Sequence, residues 1–132
     1  MHRKQKYCVA SACLCGFKCR YDGKSKTNKK IVDLMSRGKL LPICPEIMIG
    51  LETPRPAASV NSSERIIENK TKKDVTKIYN QGAQIAFKIC EATKAHKAFL
   101  KKGSPSCGEN GCFSRLLINN GFSVSFMDAD QK

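Results

Sequence analysis

Long apolar runs, closely paired cysteines and acidic residues are what this sequence most lacks. No apolar stretch approaches the roughly twenty residues needed to span a bilayer. The N-terminal candidate, Tyr7–Ala12, is six residues long, short of the roughly seven to fifteen in a signal-peptide core. The basic start Met1-His-Arg-Lys-Gln-Lys and the box Ala10-Ser11-Ala12-Cys13 imitate the flanks of a secretory signal without its centre. The stretch reads as a buried strand, so a cytoplasmic location is expected, where thiols stay reduced. No C-x2-C pair occurs among the eight cysteines, which removes the usual mark of structural zinc. No internal repeat, low-complexity segment, arginine-rich run or zinc-finger spacing is present, so nothing singles out DNA binding.

The scarcity of acids is uneven. Eleven Asp/Glu face 24 Lys/Arg, for a net charge of +13. Within residues 1–30, nine Lys/Arg meet the single acid Asp22, a local balance of +8. Such a patch attracts phosphate, nucleotides, nucleic acid or anionic surfaces; the plain alternative is a solvated lysine-rich face. Nucleic acid is admissible as a partner without being favoured, and no membrane partner is expected. With 132 residues, 41% of them hydrophobic, the chain fits one domain with a real core. Residues 1–132 are read as that domain, with residues 1–6 as its basic, flexible start.

What is there alternates between strand and helix. Tyr7-Cys8-Val9-Ala10 suits a buried parallel strand, followed by the small-residue loop Ser11–Gly16. Thr27 or Asn28 can cap a helix carrying Ile31, Val32, Leu34 and Met35 and stopped by Gly38. Lys39–Cys44 reads as a second strand despite Pro42, running into a proline-containing loop, 45–56. Residues 59–73 allow a weak hairpin around Arg65-Ile66-Ile67. Asp74 can cap the longest helix, about 75–95, with Val75, Ile78, Tyr79, Gly82, Ile85, Ala86, Ile89 and Cys90 at helical spacing. Ala98–Leu100 is a third strand, followed by the loop Gly103–Gly108, a helix over about 112–120 and a last strand, Phe122–Met127.

This order predicts an α/β domain: a mostly parallel sheet of about four strands flanked by helices in Rossmann-like layers. In such sheets ligands bind beyond the carboxyl ends of the strands. Three loops in that position each carry a cysteine: Cys13, Cys44 and Cys107. Thiolates are soft ligands for zinc and iron–sulfur centres, and three of them leave one metal position open for Lewis-acid work. Cys8 and Cys90 fit the apolar periodicity and read as core. Cys15 and Cys19 share a loop with Cys13 and read as spare ligands, redox partners or plain loop residues. Cys112 is placed near the start of the last helix.

The run Ser11-Ala12-Cys13-Leu14-Cys15-Gly16-Phe17-Lys18-Cys19-Arg20-Tyr21-Asp22-Gly23 resembles the opening signature of the thiouracil desulfidase (TudS-like) family. The likeness continues through Cys44-Pro45-Glu46, Thr53-Pro54-Arg55-Pro56, Asp74-Val75-Thr76 and Ser104-Pro105-Ser106-Cys107-Gly108, in family order across nearly the whole chain. It implies a 4Fe–4S cluster held by Cys13, Cys44 and Cys107. It also implies non-redox removal of sulfur from a small thiolated pyrimidine base or nucleotide, releasing sulfide. Glu46 matches the family's acid/base candidate, and Ser104 matches a serine near the substrate. Ser11, Arg20, Asp22, Arg55 and Ser106 lie in the same motifs and are read as substrate-binding. Arg20, Asp22 and Arg55 have a second reading as ion pairs pinning the loops, and Arg55 suits a phosphate fork.

Two departures stand out. Only Glu109-Asn110-Gly111 separates Gly108 from Cys112, shorter than the family's usual segment, so one side of the pocket is expected to close differently. Cys15 stands where many relatives have an aliphatic residue, adding a possible competing thiolate. Two other functions remain open on residue grounds alone. One is a zinc-binding structural module that docks on RNA or nucleotides; the other is a redox or sulfur-carrier protein exchanging thiols among Cys13, Cys15 and Cys19.

Overall fold

Four short parallel strands order the molecule in a computed structural model that describes residues 7–130. They are β1 (Cys8–Ser11), β2 (Leu40–Ile43), β5 (Lys97–Lys101) and β6 (Ser123–Met127), in the order β2-β1-β5-β6. Cys8 pairs with Leu40 on one side and with Lys97 on the other, and Lys97 pairs with Ser123. Pro42 is accommodated because β2 lies at the sheet's edge, where a missing N–H costs no ladder bond. The N-terminal segment 1–6 lies outside the described residues. Among the described residues no helix is long and apolar enough to cross a membrane.

Alternation along the strands sends side chains to two cores. Val9, Ala98 and Leu100 join Tyr79, Ala83, Ala86, Cys90, Phe113 and Leu117 beneath α3 (Thr76–Ala92) and α4 (Cys112–Asn119). Ala10 faces the other way, toward Leu14, Cys15, Ile31 and Leu40 beneath α1 (Lys29–Ser36), where Phe99 also packs. The result is the layered α/β domain read from the sequence, with helices on both faces of a parallel sheet.

Local chemistry sets the boundaries. The Asn28 side chain accepts the Ile31 N–H at 3.3 Å and opens α1, and Gly38 follows its end at φ +71°, a backbone state that suits glycine. Pro45 begins a four-residue helix, α2 (Pro45–Met48), inside what the sequence showed only as loop. The expected hairpin exists: β3 (Ala58–Val60) pairs antiparallel with β4 (Ile66–Glu68). Asp74 does not occupy the cap position of α3, which Val75 holds. Its carboxylate instead accepts the Thr76 N–H at 2.9 Å and the Thr76 hydroxyl at 2.6 Å. The Thr76 hydroxyl oxygen in turn accepts the Ile66 N–H at 2.7 Å. The Asp74-Val75-Thr76 motif therefore ties the hairpin to the start of α3.

The sheet order also fixes where a site can form. From β1 the chain crosses to β2 on one side and later to β5 on the other. The chain leaves β1 toward β2 and leaves β5 in the opposite direction, toward β6, which opens a crevice between their carboxyl ends.

Candidate active site

A cavity of about 210 Å³ lies at this crevice. Its wall includes Ser11 at the end of β1 and Cys13 just after it, Cys44 and Glu46 after β2, and Ser104 and Cys107 after β5. Cys19, Arg20, Tyr21 and Arg55 reach it from the intervening loops, Tyr79 from α3, and Ser59 and Asn69 from the hairpin. All three cysteines read from the strand ends are thus brought to one cavity.

Each of them is set by a local device. Cys13 lies in a 3-10 turn (Ala12–Cys15) whose carbonyls are taken by Gly16, Phe17 and Lys26. Cys44 precedes α2, and the close packing of α2 on α3 needs Gly82, because a Cβ there would overlap the Pro45 carbonyl. Cys107 sits in a tight loop in which the Ser104 hydroxyl oxygen accepts the Ser106 N–H at 3.1 Å and the Cys107 N–H at 3.0 Å. Glycine at 111 is required there too, since a Cβ would overlap the Ser106 carbonyl.

Burial and mutual repulsion make the Cys13 and Cys107 thiols costly to ionise. Burial pushes Cys13 up to about 11, with Cys44 adding to the shift. Cys107 is pushed well above its ordinary value by burial, partly offset by a hydrogen bond from the Ser11 hydroxyl. The Cys44 thiol donates to the Cys19 carbonyl at 4.0 Å, and the neighbouring Cys19 thiol brings Cys44 down to about 7 while its own ionisation is disfavoured. Thiolates at buried Cys13 and Cys107 and half-buried Cys44 would repel one another and need a matching positive charge, of the kind an iron–sulfur core supplies on binding. Among the described residues, no three His, Cys, Asp or Glu side chains gather closely enough to share one metal ion. A multi-iron cluster offers ligand positions at separate corners. The donor set fits a cluster better than a single zinc.

The carboxylate is held as firmly. Glu46 is 6% exposed. Its Oε1 accepts from Arg55 Nε at 2.8 Å and from Nη2 at 2.6 Å, and its Oε2 accepts from the Ser106 hydroxyl at 3.0 Å. The remaining Arg55 N–H groups go to the Glu52 carbonyl, the Thr53 hydroxyl and the Cys19 carbonyl. Burial works against the Arg55 charge, but Glu46 outweighs it and the guanidinium is held above its ordinary value.

The other expected residues divide. Ser11 lines the cavity and its hydroxyl also accepts the Lys101 N–H at 2.9 Å. Arg20 lines the wall and is tethered at 3.0 Å to Asp22, which is set back from it. Ser106 is likewise set back, 1% exposed, with its hydroxyl spent on Glu46. In place of a free phosphate fork, Arg55 is a clamp whose five N–H groups are all engaged. Cys15 packs in the core beneath α1, away from the cavity, so the exchanging trio Cys13, Cys15 and Cys19 is not assembled there. Cys90 and Cys112 are core, and Cys8 is half-buried. Cys19, one of the two spare loop thiols, reaches the wall, whereas Tyr79 is a wall residue that sequence reasoning misses. Tyr79 carried the one usable signal, a polar tip within an apolar stripe.

Comparison with known proteins points the same way. The family model described as 2-thiouracil desulfurase matches residues 8–129. The chain is 36% identical to the uncharacterized protein YbbK of Bacillus subtilis (strain 168), over 90% of this chain and 87% of that one. It is also similar to a solved structure, the 4Fe-4S-dependent thiouracil desulfidase TudS. That match has 34% identity and a TM-score of 0.84, covering 92% of this chain and 90% of the other. With its layered fold, its strand-end cysteines and a match over nearly its full length, the chain belongs to the 2-thiouracil desulfurase family.

Proposed function

We propose that this protein is a 4Fe–4S-dependent desulfidase that exchanges the sulfur of a small thiolated pyrimidine base or nucleotide for oxygen. The reaction consumes water and releases hydrogen sulfide with no net redox change. The observation that carries this reading is the meeting of Cys13, Cys44, Cys107 and Glu46 on one cavity at the switch point of the sheet. The three thiolates would hold the cluster, which supplies an open iron as a Lewis acid for the sulfur of the substrate.

The rest of the work falls to side chains already in place. Each carboxylate oxygen has two acceptor positions. Glu46 Oε1 spends both on Arg55, and Oε2 spends one on Ser106. The free position on Oε2 is where a water proton can be accepted as the oxygen attacks carbon. Ser104 uses its oxygen as an acceptor within its own loop and keeps its O–H to offer to the substrate. Ser11 steadies Cys107. Arg20, with Lys102 on the same wall, gives the cavity a positive rim suited to a nucleotide phosphate. Arg55 and Ser106 act through Glu46 as positioning residues, and Asp22 acts through Arg20. A thiolate-held cluster needs a reducing compartment, which supports a cytoplasmic location.

Anaerobic reconstitution with iron and sulfide tests the reading directly. Brown protein that releases sulfide from 2-thiouracil or 4-thiouridine monophosphate is the expected result. Protein that takes up no cluster, or that releases sulfide equally well without one, overturns it.

A further inference from the structure

Tyr79 has a hydroxyl that packing does not explain. It sits one turn into α3 on the stripe that packs on the sheet, and it is 4% exposed. A phenylalanine would fill that position equally well. The side chain also lines the cavity, with Glu46 and Arg55 as its charged neighbours. Arg55 spends its N–H groups on Glu46, Glu52, Thr53 and Cys19, and the phenol's own hydrogen is free to be given elsewhere. Glu46 takes its hydrogen bonds from Arg55 and Ser106, and no other acceptor among the described residues receives the Tyr79 O–H. Among those residues no fully enclosed side-chain nitrogen or oxygen lacks a partner. The phenol oxygen is therefore reached from the cavity, as a donor aimed into it. Burying a hydroxyl without an acceptor costs free energy, and a ligand that supplies one recovers it.

We propose that Tyr79 is a substrate-contacting residue whose hydroxyl donates to the exocyclic oxygen that a thiolated pyrimidine keeps beside its sulfur. This rests on the desulfidase reading and names the ring position that the site recognises. A pyrimidine carries its reacting carbon and a second exocyclic position on one rigid ring. A donor next to Glu46 can hold the second while the first is hydrolysed. A phosphate would meet the rim at Arg20 and Lys102, because Tyr79 lies too deep for it.

The test pairs two substrates with one variant. 2-Thiouracil has the exocyclic oxygen; pyrimidine-2-thione lacks it. In the cluster-loaded enzyme, Tyr79→Phe should raise KM for 2-thiouracil about threefold to tenfold, the loss of one neutral hydrogen bond, with kcat little changed. KM for pyrimidine-2-thione should stay where it is. Equal effects on both substrates, or no effect on either, overturn the proposal. A second measurement needs no turnover: titration of the loaded wild-type and Tyr79→Phe proteins with uracil and with 2-hydroxypyrimidine. Tyr79→Phe should weaken uracil binding about threefold to tenfold and leave 2-hydroxypyrimidine binding unchanged; an equal effect on both, or none, overturns the proposal. If neither thione yields sulfide, the desulfidase reading fails, and the titration still decides the role of Tyr79.

Discussion

Burying a carboxylate is costly unless a cation matches it, and the Glu46 and Arg55 side chains are only 8% and 6% exposed. Removing one partner of such a pair strands the other's charge, whereas removing both is tolerated. Glu46→Gln should therefore lower unfolding stability by about 3 kcal/mol or more, by the usual cost of a broken buried pair. Sulfide release should fall about 10²-fold or more as the base is lost, with the visible cluster absorbance retained. The double variant Glu46→Gln/Arg55→Met should recover most of the stability in urea titrations and none of the activity. Recovery of activity would show that Glu46 serves only as the partner of Arg55. The Cys44-Pro45-Glu46 motif of the family resemblance marked Glu46, but not this pairing. The two residues are nine apart across an irregular loop, where no periodicity relates them. The bond from Ser106 to Glu46 was hidden for the same reason, since it spans 60 positions.

Elements were more legible than contacts, because strand and helix periods are local while packing is not. The parallel strands showed as short apolar runs, each ending in a small-residue or proline-containing loop, and that pattern alone placed Cys13, Cys44 and Cys107 at one edge. The four-residue α2 is too short to show a period, and the 3-10 turn that sends Cys15 into the core left no mark in the C-x-C spacing. Gly82 of the long helix and Asp74 of the Asp74-Val75-Thr76 motif prove to be architectural. Gly82→Ala should force α2 away from α3, costing about 1–3 kcal/mol as an overpacked contact does. It should reduce iron content per chain as Cys44 shifts; full iron loading with unchanged stability would show that α2 can slide without moving Cys44. Asp74 is held down to about 2, first by the Thr76 hydroxyl and N–H, then by Arg65. A carboxyl depressed in the folded state stabilises above the ordinary carboxylate range and loses that contribution as pH falls toward about 2. Asp74→Ala should therefore lower the urea midpoint at pH 7, with the difference from wild type closing between about pH 4 and pH 2. A constant difference across that window would assign the effect to packing rather than charge.

At the scale of the whole molecule, the excess of +13 acts on whatever approaches the cavity. It has no bearing on the fold itself, which rests on two apolar cores on either face of the sheet. The same charge that leaves nucleic acid admissible as a partner has a nearer use, since Arg20, Lys101 and Lys102 lie on the cavity wall. Lys101 is partly neutralised by Asp128 at 3.2 Å, and Arg20 by Asp22, so the field at the mouth comes from many lysines rather than one fixed contact. Such a field steers anions over distances set by the Debye length, about 10 Å at 0.1 M salt and about 3 Å at 1 M. A nucleoside monophosphate carries charge for the field to act on; an uncharged base does not. Raising salt from about 0.1 M to about 1 M should therefore raise KM for 4-thiouridine monophosphate about tenfold, in the lower range of electrostatic focusing. KM for 2-thiouracil should be unaffected over the same range. A parallel rise for both substrates would mean that salt acts on the cluster or the fold, and the basic surface would then be a solvated face with no part in substrate capture.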